Sequence, residues 1–164
     1  PRAARPPLAQ GLEIARRLVD LRGRAVAGVP AGDEITMEIS VTCPATRRFV
    51  AAEVPLPAGL EALDPELATT TRHDEPSEEH EERSADDEDG LWWRPGFDHV
   101  ELRDDRVLLY ATQLPPGTTT TKVRCRATTP GTFVLGPAHA EEMYAPEVFG
   151  TVGGGTFEVS LPGR

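Results

Sequence analysis

Lysine is almost absent from this chain: sixteen arginines stand beside the single Lys122, against 27 acidic residues, for a net charge of −10. A phosphate surface is recognised by clustered cations, so this balance excludes nonspecific binding to nucleic acid or to anionic lipid. Long apolar runs are missing too. None approaches the roughly 20 residues of a bilayer-spanning helix, so no direct membrane span is expected. Aromatic residues make up only 5% of the chain, while Pro numbers 16 and Gly 15 in 164 residues. That composition argues against a helical bundle and for turn-rich β architecture in one domain. The first residue is not Met, and Pro1-Arg2-Ala3-Ala4-Arg5-Pro6-Pro7 lacks the apolar core of a signal peptide. The expectation is a piece of a longer protein, with any targeting signal upstream.

Signatures of catalysis are also lacking. There is no Gly-x-Ser-x-Gly elbow, no phosphate-binding glycine loop and no metal quartet. The expectation is therefore no enzyme, no catalytic residue and no cofactor.

What is there begins with an uneven charge. From His73 to Gly90, ten carboxylates face one Arg83, so this stretch alone carries −9 and the rest is nearly neutral. Its two histidines, His73 and His80, do not have the i, i+4 spacing of a helical zinc site, and Pro76 would break such a helix. Asp86-Asp87-Glu88-Asp89-Gly90 lacks the alternating ligands of a calcium loop. Too little apolar surface is present to offset ordering entropy. Residues 64–91 are expected to be a long acidic disordered loop that binds no metal.

Around that loop the period is two. Ile35, Met37, Ile39, Val41 and Cys43 alternate with Thr36, Glu38, Ser40 and Thr42, the pattern of a half-buried strand. Arg48 to Val54 gives a second run, closed by Pro55-Leu56-Pro57-Ala58-Gly59. Asp104-Asp105 joins the strands Asp98–Arg103 and Arg106–Ala111 as a tight hairpin. Thr119–Thr128, Thr132–Leu135 and Thr156–Leu161 follow as strands, with Val123, Cys125 and Ala127 on one face. Gly136–Gly155 reads as a long connection in which only Ala138–Tyr144 could make a helical turn. The segment from Leu12 to Val19 fits either a helical stripe or a strand before an Asp20–Gly23 turn. Six strands, or eight with an N-terminal pair, predict an all-β antiparallel β-sandwich of immunoglobulin-like or macroglobulin type over 11–164, with 1–10 as a linker or tail.

Two residue pairs stand out. Cys43 and Cys125 sit at core-facing phases of their strands, so a disulfide and two buried thiols are both compatible with the pattern, and the bridge is the favoured expectation. Trp92 and Trp93 follow the acidic loop. In a strand, neighbours point to opposite faces, so one would enter the core and the other would lie on the surface. The exposed one could stack on a sugar or a partner.

The wording of the second half is more specific than its period. Phe97-Asp98-His99-Val100-Glu101-Leu102-Arg103-Asp104-Asp105-Arg106-Val107, then Arg126-Ala127-Thr128-Thr129-Pro130-Gly131-Thr132-Phe133, then Pro137-Ala138-His139-Ala140-Glu141-Glu142-Met143-Tyr144-Ala145-Pro146-Glu147-Val148-Phe149-Gly150, resemble the C-terminal domain of bacterial alpha-2-macroglobulin-like proteins. Gly11-Leu12-Glu13-Ile14, the Asp20–Gly23 turn and Arg48-Phe49-Val50 agree with its opening strands. The acidic insertion and the cysteine pair depart from the family pattern.

The resemblance implies the non-catalytic C-terminal sandwich of a large periplasmic or cell-envelope protein that traps proteases. In that family a protease cuts a bait segment and is acylated by a Cys-Gln thioester held in a separate domain. The partners implied are the thioester domain, the neighbouring macroglobulin domains of the same chain and, through the whole protein, target proteases. Neither cysteine here is followed by the Glu-Gln of the thioester motif. The resemblance implies instead that this domain packs on the thioester domain, with Met143 and secondarily Tyr144 shielding the bond from water. Read without the family, Met143 is a plug of its own sandwich. The alternative, from another class, is an extracytoplasmic immunoglobulin-like adhesion or carbohydrate-binding module that uses Trp92 and Trp93. One lysine gives no basis for the receptor binding of eukaryotic relatives.

Overall fold

The computed structural model describes residues 7–63 and 96–162. These form thirteen strands and no helix: β1 (Leu8–Gln10), β2 (Glu13–Val19), β3 (Gly28–Pro30), β4 (Glu34–Cys43), β5 (Arg47–Pro55), β6 (Leu60–Ala62), β7 (His99–Leu102), β8 (Arg106–Leu114), β9 (Gly117–Ala127), β10 (Gly131–Leu135), β11 (Ala138–Glu142), β12 (Ala145–Val152) and β13 (Gly155–Ser160). They build a six-stranded sheet in the order β1-β12-β11-β5-β8-β7, a four-stranded sheet β2-β4-β9-β6 and a three-stranded sheet β10-β13-β3. All pairings are antiparallel except that of β13 with β3. The all-β antiparallel sandwich expected from the sequence is what forms.

The alternation of β4 explains its place. Ile35, Met37, Ile39, Val41 and Cys43 are each at most 2% exposed, and they join Val50, Val54, Val107 and Leu109 of the large sheet in one core. On the outer face of β4 the same two-residue period sets out polar partners. Ser40 and Thr42 pair with Thr120 and Thr118 through hydroxyl hydrogen bonds of 2.9 and 2.8 Å. Glu38 lies between Lys122 and Arg17 at 3.4 and 3.6 Å. Such exposed pairs contribute little individually, so the buried face carries the stability.

The β7–β8 hairpin turns at Asp104-Asp105 as its sequence requires, with the Arg103 N–H donating to the Arg106 carbonyl across 2.9 Å. The N-terminal ambiguity resolves as strand: Leu12 and Ile14 are buried, β2 pairs with β4, and Asp20 accepts the turn N–H groups of Arg22 and Arg24. Residues 8–10, read from sequence as tail, form β1 on the edge of the large sheet against Phe149, Gly150 and Thr151.

The larger correction concerns Gly136–Gly155. It is no long connection and holds no helical turn, because β11 and β12 form an antiparallel hairpin inside the six-stranded sheet. Ala138 and Ala140 are fully buried, and β11 pairs with β5 on its other side. Satisfying backbone groups on both flanks overrides the helical preference of Ala and Glu.

Candidate functional site

The β11–β12 hairpin ends in Met143 and Tyr144, which stand outside the core at 50% and 80% exposure. The expectation that Met143 plugs its own sandwich is therefore wrong. The hairpin's position follows from local chemistry. Between Glu141 and Glu142 the register with β12 shifts, a bulge that re-aims the turn. Beyond the last β11–β5 pair, Glu142 with Val50, the Met143 N–H donates to the Phe49 carbonyl at 2.9 Å. The Tyr144 ring meets the Phe49 ring edge-on, with centroids 5.2 Å apart and planes at 85°.

Glu142 anchors the same turn from beneath. One of its carboxylate oxygens accepts the Arg48 N–H at 3.1 Å and lies 4.0 Å from the Arg47 guanidinium. Arg48, Phe49, Gln113, Glu142 and Tyr144 line an open cleft of about 650 Å³ beside the tip. The arrangement is an apolar point, Phe49, Met143 and Tyr144, braced by a half-buried polar foot of Glu142 and Arg47. A thioether and two aromatic rings can exclude water from a surface they cover.

Phe49 is the residue sequence reading missed. Its signal was the adjacency of two large apolar side chains, Phe49 and Val50, in one strand: only one can face the core, and Val50 takes that place at 0% exposure, leaving Phe49 outside.

The expected disulfide is overturned. Cys43 and Cys125 lie on adjacent strands and on the same face, but Cys43 sits opposite Gly117 and Cys125 opposite Ile35. Eight residues of strand, about 27 Å, separate the two positions, and both thiols are free and buried. Burial pushes the Cys125 thiol up to about 12 and raises that of Cys43 as well. Neither is an available nucleophile at neutral pH.

Trp92, Trp93, His73, His80 and the acidic stretch lie outside the described residues. Among the described residues, no group of three His, Cys, Asp or Glu side chains is placed to hold a metal. No described helix is long and apolar enough to cross a membrane.

Fold and braced hairpin together define a macroglobulin-type sandwich domain. The model of the bacterial alpha-2-macroglobulin MG10 domain matches residues 11–147, and the chain belongs to that family. It is 32% identical over 154 residues to an alpha-2-macroglobulin homolog of Nostoc, covering 85% of this chain and 7% of that protein. A Yersinia pestis homolog is 28% identical over 149 residues, covering 84% and 7%. The chain thus spans a small part of the relatives it matches. Among solved structures, trypsin-activated alpha-2-macroglobulin from Escherichia coli superposes with a TM-score of 0.75 at 23% identity, covering 98% of this chain and 11% of that one. The Salmonella protein reacted with methylamine gives 0.73 at 22%, covering 98% and 10%. These two likenesses establish the fold.

Proposed function

We propose that this domain is the C-terminal guard of an extracytoplasmic bacterial protease trap, where it packs on a thioester domain and covers the reactive bond with Met143 and Tyr144. The chain is a structural part of that inhibitor and performs no catalysis. Its partners are the thioester and macroglobulin domains of the same protein, and it meets target proteases only through the whole assembly.

The observation that supports this reading is the outward, braced presentation of Met143. Hydrolysis of a thioester needs water or hydroxide at the acyl carbon. A thioether laid over that carbon displaces the water and offers no hydroxyl or amine that could consume the bond. A lysine or serine at the same place would supply such a group. The single hydrogen bond from its N–H to the Phe49 carbonyl, and the edge-on contact of the Phe49 ring with the adjoining Tyr144, hold the turn that carries it at a defined point.

The test uses the full-length protein carrying Met143→Ala. Spontaneous thiol release and methylamine incorporation are expected to speed up several-fold relative to the parent. Rates equal to those of the parent would reject the shielding role. The parent gene supplies a cheaper check, since the proposal requires a Cys-x-Glu-Gln segment in it.

A further inference from the structure

We infer that Phe49 is the positioning residue of the Met143–Tyr144 tip: a side chain held in a strained backbone conformation so that its carbonyl fixes one tip residue and its ring the other. The inference takes the shielding reading for what the tip does, while the bracing has its own readout.

The backbone of Phe49 carries it. With φ at +52°, Phe49 is the one non-glycine residue in the left-handed region among the described residues. A bulky aromatic there is a true outlier, because its Cβ crowds the following carbonyl. The distortion is confined to a single position: Phe49 drops out of the β5–β8 ladder, while Arg48 pairs with Gln113 and Val50 with Ala111 in the same register on either side of it. The core does not demand it either, since Val50 fills the inward place and Phe49 remains 44% exposed. Strain of this kind persists only where surrounding contacts over-determine it.

The contacts that do so both belong to the tip. The Phe49 carbonyl accepts from the Met143 N–H, and its ring takes the edge of Tyr144. Glycine would make the same backbone turn without strain and would lose only the ring. Asymmetry between those two properties makes the inference testable, because Phe49→Gly should leave the sandwich intact while loosening what stands on it.

Full-length proteins carrying Phe49→Gly, Phe49→Tyr and Met143→Ala are compared by hydrogen exchange read on peptides, and by thiol release. In Phe49→Gly, exchange across Glu142–Ala145 should rise about tenfold, with β4, β8 and β9 unchanged. Phe49→Tyr should restore protection. Thiol release should accelerate in Phe49→Gly, and adding Met143→Ala should bring little further increase, because both changes uncover the same bond. Unchanged exchange at the tip in Phe49→Gly, no rescue by tyrosine, or loss of protection spreading through β5 and β8 would each overturn the positioning role. Faster exchange at the tip with thiol release unaffected in all three variants would uphold the bracing and sink the shielding reading instead.

Discussion

Cys43 donates its thiol to the backbone carbonyl of Pro115 across 3.1 Å, at the point where the chain leaves β8 for β9. The other thiol, Cys125, is fully enclosed near the opposite end of the β4–β9 pair. Both are protonated at neutral pH, since burial raises the cost of the thiolate.

A maleimide reagent at pH 7 should therefore leave the folded chain unmodified over minutes and add twice once guanidinium is present, without any reductant. Intact-mass measurement decides it. Absence of adducts in the unfolded, unreduced protein would mean that the two sulfurs are bonded after all.

Gly150 sits where β12 passes beneath the start of β2. A Cβ there would lie 2.5 Å from the Leu12 carbonyl oxygen and 2.9 Å from its carbon, both backbone atoms that cannot rotate away. Gly150→Ala should cost about 1 to 3 kcal/mol of stability, the usual range for overpacking. Gly155→Ala is the matched control, because nothing lies within 4 Å of a Cβ at that strand position. Urea unfolding midpoints of the two variants should differ clearly. Equal midpoints would show that the β12 crossing is looser than described.

Glu34 accepts from Arg126 at 2.7 Å and also from Arg124, and these two hydrogen bonds hold its carboxyl below the ordinary glutamate range. A depressed folded-state pKa stabilises the fold above the unfolded value, roughly 4.3, and that contribution is lost as pH falls through the folded value. The site is near the surface, so its worth is at most about 1 kcal/mol. Glu34→Gln should lower the urea midpoint slightly at pH 7, and the gap should close toward pH 3. A gap that widened on acidification would contradict the assignment.

Faces were legible in the sequence and registers were not. The alternation from Ile35 to Cys43 fixed which side chains enter the core, and each does. Alternation is silent on how far one strand slides along another. Cys43 and Cys125 therefore share a face as expected yet stand about 27 Å apart. Composition misled at Ala138–Glu142, where strong helix formers occupy a central strand because small alanines fit between β5 and β12. Met143 and Tyr144 were reached through resemblance, since nothing in their spacing distinguishes a presented turn from a buried one. The exposure of Phe49 was readable from its place beside Val50, but its left-handed backbone leaves no mark on hydrophobic period.

The parallel seam between β13 and β3 joins Glu158 to Gly28, about 130 residues earlier in the chain. Such a seam cannot close until β13 has been synthesised and is free to pair. Because pairing over so long a span is slow, β3 would spend that interval as an open sheet edge.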